Sequence, residues 1–191
     1  MKKLFAVLMV ILAGALPLRA DDAADVKAVI LKEWELIARG DFAEVLSLFT
    51  PDYRGHGKFN YEQTKKLFLA LDGKHLEEWM FTLMVMYKGG GELSPEEAEE
   101  CRAVARQALQ DPLAIKKYEA EVGQASARMK ELAKFTLENH KFVSVKVDGD
   151  SAVAEIVLES KPGEPPRRSR PIVIRLRRLD GAWRISEDVE I

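Results

Sequence analysis

The sequence predicts an α+β fold: an antiparallel sheet in the C-terminal part of the chain, packed against helices from the part before it. From about Lys141 to Ile191, apolar and polar residues alternate, which is typical of strands with one buried face. Between residues 22 and 140, apolar residues recur at spacings of three and four, which is typical of amphipathic helices. Because a sheet with one apolar face must be covered on that face, we expect the helices to pack against it.

The first 20 residues have the pattern of a secretory signal peptide. Two lysines follow Met1, an apolar run extends from Leu4 to Leu18, and the small residue Ala20 stands at the expected cleavage site. The run is shorter than a typical membrane span, and an uncleaved anchor is the alternative. We therefore expect removal of residues 1–20 and a single domain over residues 21–191. The mature protein is expected to be periplasmic or secreted, without further contact with the membrane.

Two helices are predicted directly after the signal peptide. The first, from Ala23 to Arg39, carries an apolar stripe at helical spacing and ends at Gly40, which suits the left-handed conformation of a helix end. Asp41 then caps a short second helix, with Glu44 three residues later as the partner in a capping box. The sequence Thr50-Pro51-Asp52 is predicted to end this second helix.

The following region, residues 61–140, is predicted to be mostly helical. The segment from Lys74 to Lys88 fits either a helix or a buried strand, and we favour the helix. Gly89 to Gly91 is predicted to be a hinge. Ser94-Pro95 and Asp111-Pro112 each combine a capping residue with a proline in the first helical turn, so each is expected to start a helix.

Three or four antiparallel strands are predicted in the tail. Asp148-Gly149 and Asp180-Gly181 mark tight hairpin turns, and the proline-rich stretch from Lys161 to Arg170 makes a longer connection. The residues predicted to share the inner, apolar face are Val143, Val145, Val147, Ala152, Ala154, Ile156, Leu158, Ile172, Ile174, Leu176, Trp183 and Ile185. We expect several of them to form one core with Trp34 and Phe49 of the helical part.

Composition and charge exclude a role in nucleic-acid binding. The 191-residue chain has a formal net charge of −2, which calls for no polyanionic partner. The arginine-rich stretch near the C-terminus could suggest a nucleic-acid face. However, Arg175 and Arg177 share the outer face of the predicted sheet with Glu155, and pairs of opposite charge stabilise neighbouring strands. No aromatic side chains are interleaved on that face to stack on bases, so no nucleic-acid partner is expected.

Cysteine and histidine usage predicts neither a disulfide nor a metal site. The single Cys101 can form no internal disulfide, and its place in an amphipathic helix predicts a buried small residue rather than a catalytic thiol. The three histidines, His56, His75 and His140, lack the spacing of metal ligands. We therefore expect neither a metal nor a cofactor.

Three segments together resemble the nuclear transport factor 2-like superfamily: the helix ending at Gly40-Asp41, the short helix followed by Thr50-Pro51-Asp52-Tyr53, and the terminal segment Leu179–Ile185. The likeness is to the SnoaL-like branch, which includes relatives of ketosteroid isomerase and scytalone dehydratase. It covers about residues 22–60 and 140–191. It implies a curved sheet that wraps against helices to form a cone with a pocket. Since the family usually has one helix and a shorter strand connection in the middle, residues 61–140 become a large helical insertion, expected to roof the cone.

The resemblance also implies where a pocket would receive its side chains: from the stretch after the second helix and from the inner faces of the strands. In that stretch, Asp52 and His56 are the candidate catalytic base and acid, provided that they lie in a dry, apolar cone. The candidate ligand-pocket residues are Tyr53, Tyr61, Trp79, Ile156 and Ile174. The structural alternative is that Asp52 caps a turn after Pro51 and that His56 is solvated.

Two functions from different classes fit these features. The first is an exported, non-catalytic module, monomeric or homodimeric, that binds a small apolar ligand or serves in an interaction. The second is a small-molecule lyase, isomerase or hydrolase that uses Asp52 and His56. An enzyme requires these two side chains to converge in a dry pocket within reach of a substrate, whereas a binding module requires only the cavity. We favour the binding module.

Overall fold

The computed structural model describes residues 22–55, 59–73, 75–87, 93–159 and 171–190. Helices and strands both occur in this part of the chain, so the predicted α+β class is confirmed. The predicted signal peptide, the predicted hinge at Gly89 to Gly91 and the proline-rich connection from Lys161 to Arg170 lie outside the described residues.

The helical segments of the described residues follow the predicted order closely. They are α1 (Asp22–Arg39), α2 (Phe42–Val45), α3 (Tyr61–Ala70), α4 (Leu76–Tyr87), α5 (Pro95–Ala108) and α6 (Pro112–Asn139), with a 3₁₀ turn at Leu46–Leu48 after α2. The helical interpretation of the segment after Lys74 is confirmed by α4. The predicted cap of α5 is also confirmed, because the backbone N–H of Glu97 donates to Ser94 Oγ at 3.2 Å.

The start of α2 differs from the prediction. Gly40 has a φ of +87°, as expected for a left-handed helix end. Asp41, however, makes no side-chain hydrogen bond to the first turn of α2. Its carboxylate instead accepts a hydrogen bond from Arg39 Nε at 2.9 Å. The capping box predicted for Asp41 and Glu44 is therefore wrong. The Asp41 backbone, with φ −82° and ψ 52°, lies outside the extended region that a capping residue typically adopts.

The strands of the described residues form one sheet in the order β2-β1-β6-β5-β4-β3. They are β1 (Phe49–Gly55), β2 (Phe59–Asn60), β3 (His140–Asp148), β4 (Ser151–Leu158), β5 (Ile172–Leu179) and β6 (Ala182–Glu190). The four C-terminal strands are antiparallel neighbours, as predicted. Both predicted tight turns are present, with a positive φ at Gly149 and at Asp180-Gly181.

One edge of the sheet corrects the purely antiparallel prediction. β1 pairs with β6 in parallel, which makes the sheet mixed. The sequence Thr50-Pro51-Asp52, predicted to be only a helix stop, lies inside β1. The register between β1 and β6 shifts between Phe49 and Arg54, the interval that contains Pro51, which has no N–H to donate to a partner strand. Local patterning could not reveal this pairing because β1 and β6 lie far apart in the sequence.

A second correction concerns the inner face of β3. Val143 was predicted to face inward, but it is 54% exposed. The register between β3 and β4 shifts between Phe142 and Ser144, so one extra residue is accommodated in β3. Such a bulge reverses the alternation on one side of it. As a result Phe142 packs against the core on one side of the shift and Val145 on the other, while Val143 turns outward.

The predicted core is confirmed. Trp34, Phe49, Ile156, Ile174, Trp183 and Ile185 are buried in one cluster, and Val145 packs against it half-buried. The 61–140 region is more closely integrated than a roof would be. α6 packs along α1, and its residues Val122 and Ala133 belong to the same main core. Only α4 and α5 share a second, smaller cluster, formed by Phe81, Val85 and Cys101.

Candidate functional site

A cavity of about 290 Å³ lies between the helical layer and the sheet. Its walls come from α1, α3 and α6 on one side and from the strands, β3 excepted, on the other. Apolar side chains supply most of the wall, among them Trp34, Phe49, Phe68, Met129, Ile172 and Ile174. The polar side chains that reach the cavity are Glu33, Tyr53, Thr64, Thr136 and Asp188. Leu132 also lines the cavity and is 58% exposed, so the cavity meets solvent beside α6.

Glu33 is the buried carboxyl group of the helical wall. It falls on the apolar stripe of α1, between Ile30 and Ile37, and is only 7% exposed. The α-helical repeat therefore turns this side chain toward the sheet with its apolar neighbours. Burial, and then the nearby negative charge of Asp188, raise the pKa of Glu33 to about 8. At neutral pH the Glu33 carboxyl is therefore mostly protonated.

Asp188 is the carboxylate of the opposite wall, and a bulge in β6 brings it there. Ile185 pairs with Leu176, whereas Glu187 pairs with Arg175, so Ser186 is an extra residue in β6. Strict alternation from the buried Ile185 would turn Asp188 outward. The extra residue restores Asp188 to the inner side, where it lies opposite Ile174, another residue of the cavity wall.

Tyr53 supplies the third polar group, from β1. Its ring stacks on Phe49, with ring centroids 4.1 Å apart, and is 4% exposed. Gly55 makes room for the phenol, because a Cβ at position 55 would lie 2.7 Å from Tyr53 Oη. Burial raises the pKa of Tyr53, and the charges of Glu33 and Asp188 raise it further. Tyr53 is therefore a neutral hydrogen-bond donor facing a pair of acids.

The arrangement can hold and move one proton in a largely apolar space. A protonated Glu33 can donate a hydrogen bond, and after losing its proton it can accept one. A carboxyl group whose pKa lies near neutrality meets the usual requirement for a general acid or base. Among the described residues, no cluster of three or more candidate metal ligands occurs. The helices described also include none with the length and apolar character to cross a bilayer.

The structure brings together some of the predicted site residues and separates others. Tyr53 and Ile174 line the cavity. Ile156 and Trp79 are buried in the main core, and Tyr61 packs against it, but these three do not line the cavity. His56 lies outside the described residues.

Asp52 lies apart from the cavity. Its side chain is 65% exposed and forms an ion pair with Arg177 of β5. The hydrogen bond from Arg177 is the main cause that lowers the pKa of Asp52, which keeps this carboxylate ionised. The catalytic role predicted for Asp52 and His56 stays a prediction, and the geometry favours Glu33 and Asp188 as the acids of the cavity.

Sequence reasoning missed both of these acids. For Glu33 a signal was present, because a glutamate at the spacing of Val26, Ile30 and Ile37 interrupts an otherwise apolar stripe. A charged residue is almost never fully buried unless it is paired, so its place in the stripe is unusual. For Asp188 there was no comparable signal. Which residues of β6 face inward depends on a bulge, and the sequence of β6 does not mark where that bulge lies.

Comparisons with known proteins give distant structural likenesses. No protein-family model and no curated protein sequence matches the chain. A protein of unknown function from Mycobacterium tuberculosis is similar with 12% identity and a TM-score of 0.42, over 92% of this chain and 74% of that one. An NTF2-like protein with a cystatin-like fold from Novosphingobium aromaticivorans is similar with 15% identity and a TM-score of 0.36, over 99% and 87%.

An NTF2-like protein of unknown function from Shewanella oneidensis is similar at 15% identity and a TM-score of 0.34, over 87% of this chain and 95% of that one. Likenesses at this level carry no inference about function. The description of the fold rests on the chain's own architecture: N-terminal helices packed on a sheet whose strands carry bulges, the arrangement that the nuclear transport factor 2-like resemblance implies.

Proposed function

We propose that this nuclear transport factor 2-like chain binds a small, mainly apolar ligand in the cavity between α1, α3, α6 and the sheet. The observation that carries the proposal is the composition of that cavity: apolar walls with a few convergent polar groups, Glu33, Tyr53 and Asp188. Ligand sites in proteins have this character, with the polar groups fixing the ligand's orientation. The volume of about 290 Å³ is at the lower end for such sites, which favours a ligand smaller than a typical drug.

A cavity-filling variant tests this proposal. Ala133 of α6 is buried and lines the cavity, so Ala133→Leu places extra methyl groups inside it. Ala127→Leu on the same helix adds the same atoms at an exposed position and serves as the matched control. Binding of neutral apolar probes, hexanol and phenethyl alcohol, is measured by ligand-observed NMR. We expect saturable binding to the wild-type chain and to Ala127→Leu, and loss of binding for Ala133→Leu.

Two outcomes would contradict the proposal. One is that neither probe binds the wild-type chain saturably. The other is that Ala133→Leu, shown by its circular dichroism spectrum to be folded, binds the probes as well as Ala127→Leu does. In the second case the probes would occupy another surface.

A second candidate function is acid–base catalysis in the same cavity, as in a small-molecule lyase or isomerase. The observation that favours it is the pairing of Glu33 with Asp188, because like charges close together in a dry site separate the protonation states of two carboxyls. The test is turnover of a ligand found by the binding experiments. Glu33→Gln should abolish turnover and leave binding of a neutral ligand measurable. Full turnover by a folded Glu33→Gln protein would exclude this second function.

We also propose that the chain is exported, which rests on the basic, apolar and small residues of positions 1–20. Mass spectrometry of the protein expressed in a bacterial host is expected to show a mature chain that begins at Asp21, recovered outside the cytoplasm. An intact N-terminal Met1 in a soluble cytoplasmic fraction would exclude export.

A further inference from the structure

A second pocket, also of about 290 Å³, lies between α3, α4 and α5 beside the cavity, and we call it the outer pocket. Phe59 of β2 lines both the cavity and the outer pocket, so the two spaces meet at this side chain. Further along the chain, α3 separates them. Thr64 and Phe68 line the cavity, whereas Lys66, on the adjacent side of the helix, lines the outer pocket. A ligand that extends past Phe59 can therefore occupy both spaces.

The floor of the outer pocket is apolar. Phe81 and Val85 of α4 are buried there, and Leu93 and Ala98 pack against the same small cluster. Removing hydrocarbon from water is favourable wherever apolar side chains receive it. An elongated ligand thus keeps its hydrocarbon part in contact with apolar side chains beyond the limit of the cavity.

One positively charged side chain, Lys66, lines the outer pocket. Its Nζ lies 5.1 Å from the centroid of the Phe81 ring, which holds the ammonium over the pocket floor. Glu62 also lines the pocket and, four residues before Lys66, has the spacing of a helical ion pair. Its carboxylate, however, is 65% exposed and lies 3.9 Å from Lys65 Nζ. Among the described residues Lys66 therefore has no carboxylate partner.

The second cation on the Phe81 ring is already neutralised. The guanidinium carbon of Arg102 lies 4.5 Å from the ring centroid, and Arg102 donates a hydrogen bond of 3.1 Å to Glu78. An anion that enters the outer pocket therefore finds its counter-charge at Lys66. Thr82, the neighbour of Phe81 on α4, is buried and lines the pocket, and a hydroxyl can donate a hydrogen bond to the same anion.

We propose that the cavity and the outer pocket together bind a straight-chain carboxylate, with its hydrocarbon part in the cavity and its carboxylate beside Lys66. The proposal rests on the proposed function and names the ligand class. A carboxylate suits a single ammonium, because each carries one charge and the charge strengthens the hydrogen bond between them. Glu33 and Asp188 line the cavity and not the outer pocket, so this orientation places the ligand's carboxylate beyond Phe59 from both acids.

Three ten-carbon probes test the preference in the wild-type chain: decanoate, decanol and decylamine. Affinities are measured at pH 7 by ligand-observed NMR or calorimetry. We expect decanoate to bind at least about tenfold more tightly than decanol, which is about 1.4 kcal/mol, and decylamine to bind most weakly. Decanoate should also displace phenethyl alcohol from the wild-type chain, because the hydrocarbon part of decanoate would occupy the same cavity.

Lys66→Gln identifies the group that supplies the preference. This variant should lose most of the advantage of decanoate over decanol, while decanol binds as it does to the wild type. Lys116→Gln is the control, since it removes the same charge from an exposed position of α6 that lines neither space. It should bind all three probes as the wild type does.

A filling variant tests whether the ligand extends into the outer pocket. Ala98 of α5 lines this pocket, and Ala98→Leu adds methyl groups there. We expect it to weaken decanoate binding by about tenfold or more and to leave the binding of phenethyl alcohol unchanged, because the smaller probe fits in the cavity alone. Ala103→Leu, at an exposed position of the same helix, is the matched control. Ala133→Leu, which fills the cavity, should weaken both probes.

The outcomes separate this inference from the proposed function. If phenethyl alcohol binds in the cavity but decanol or decylamine binds as tightly as decanoate, the carboxylate proposal is overturned while ligand binding stands. The same conclusion follows if decanoate fails to displace phenethyl alcohol, or if a folded Lys66→Gln or Ala98→Leu protein binds decanoate as the wild type does. If no probe binds, both proposals are overturned. The comparisons in the wild-type chain decide the matter even where a variant folds poorly.

Discussion

Ser186 Oγ donates a hydrogen bond of 3.1 Å to the carbonyl oxygen of Arg175, at the step where β5 and β6 slip by one residue. The bond joins the extra residue of the bulge to the neighbouring strand. Beyond this step, Asp188 faces the same side as Ile174 and reaches the cavity. The chemistry of the candidate site thus depends on a local irregularity of the sheet.

Glu33→Gln should change how stability depends on pH. Folding raises the pKa of Glu33 from its ordinary value of 4.5 to about 8. Between these values the folded chain keeps a proton that the unfolded chain has lost, so the contribution of Glu33 to stability falls as pH rises. The wild-type free energy of unfolding should fall relative to that of Glu33→Gln by roughly 1.4 kcal/mol per pH unit between about pH 5 and pH 8.

Urea unfolding of both proteins at several pH values measures this difference directly, because groups other than Glu33 contribute nearly equally to both. Parallel curves for Glu33→Gln and the wild type would show that Glu33 ionises normally in the folded protein. Glu35→Gln should run parallel to the wild type throughout, since Glu35 is exposed.

Asp52→Asn is expected to have almost no effect on stability or on ligand binding. Asp52 is exposed and lies outside the cavity, and its ion pair with Arg177 is a surface pair. Such pairs contribute about 0–1 kcal/mol, so the free energy of unfolding should fall by no more than this amount. Binding of phenethyl alcohol should be unchanged. A loss of binding in Asp52→Asn, with the fold intact, would show that the ligand binds near Asp52, as the sequence predicts, and not in the cavity.

Gly55→Ala should disturb the cavity through Tyr53. The new Cβ would lie 2.7 Å from Tyr53 Oη, so the phenol must move. We expect weaker ligand binding, by about tenfold or more if Tyr53 contributes a hydrogen bond to the ligand, which corresponds to about 1.4 kcal/mol. Tyr53→Phe is the companion variant, because it removes only the hydroxyl. Unchanged binding in both variants would show that Tyr53 does not contact the ligand.

Gly123→Ala should stabilise the protein. Gly123 lies inside α6, with nothing within 4 Å of the position that a Cβ would take and no left-handed φ. Alanine is favoured over glycine in a helix interior by about 1 kcal/mol. Thermal unfolding should therefore show a higher midpoint for Gly123→Ala, with ligand binding unchanged. A lower midpoint would mean that α6 is not continuous through this residue.

Trp183→Ala should remove a central part of the core. Trp183 is 6% exposed, and the guanidinium carbon of Arg178 lies 4.5 Å from its ring centroid. Large-to-small replacements of buried aromatic residues cost roughly 3–5 kcal/mol. Trp183→Phe should cost less, because Trp183 Nε1 has no hydrogen-bond partner among the described residues. A loss below about 1 kcal/mol for Trp183→Ala in urea unfolding would mean that the buried face of β6 is assigned wrongly.

Local patterning predicted those parts of the fold that depend on local sequence. The apolar stripe of α1, the Ser94 cap and the two Asp-Gly turns each carry their own signal within a few residues, and each is confirmed. The parallel pairing of β1 with β6 carries no such signal, because it joins segments more than 100 residues apart. For the same reason the sequence of β1 by itself predicts a helix stop at Thr50-Pro51-Asp52, followed by a short strand or loop from Tyr53 to Phe59.

The candidate site was harder to predict because it depends on bulges. Period-two patterning predicts the inner face of a strand only while the alternation continues. An extra residue at Ser186 turns Asp188 inward, and another at Val143 turns that valine outward. Glu33 was the exception, since the helical repeat alone places it in the apolar stripe of α1. The glutamate inside the apolar stripe of α1 therefore indicates this site better than the family resemblance does, since the resemblance implied Asp52 and His56.

The length of α6 has a mechanical consequence. Its 28 residues extend over about 42 Å as a single helix. Tyr118, near one end, borders a groove with Met80 of α4 and Cys101 of α5. Met129 and Ala133, about three and four turns further on, form part of the cavity wall. Because α6 is one continuous helix, a tilt at the cavity wall should also move the part of α6 that borders the groove. Occupation of the cavity should therefore change the solvent exposure of the Cys101 thiol, although Cys101 does not line the cavity.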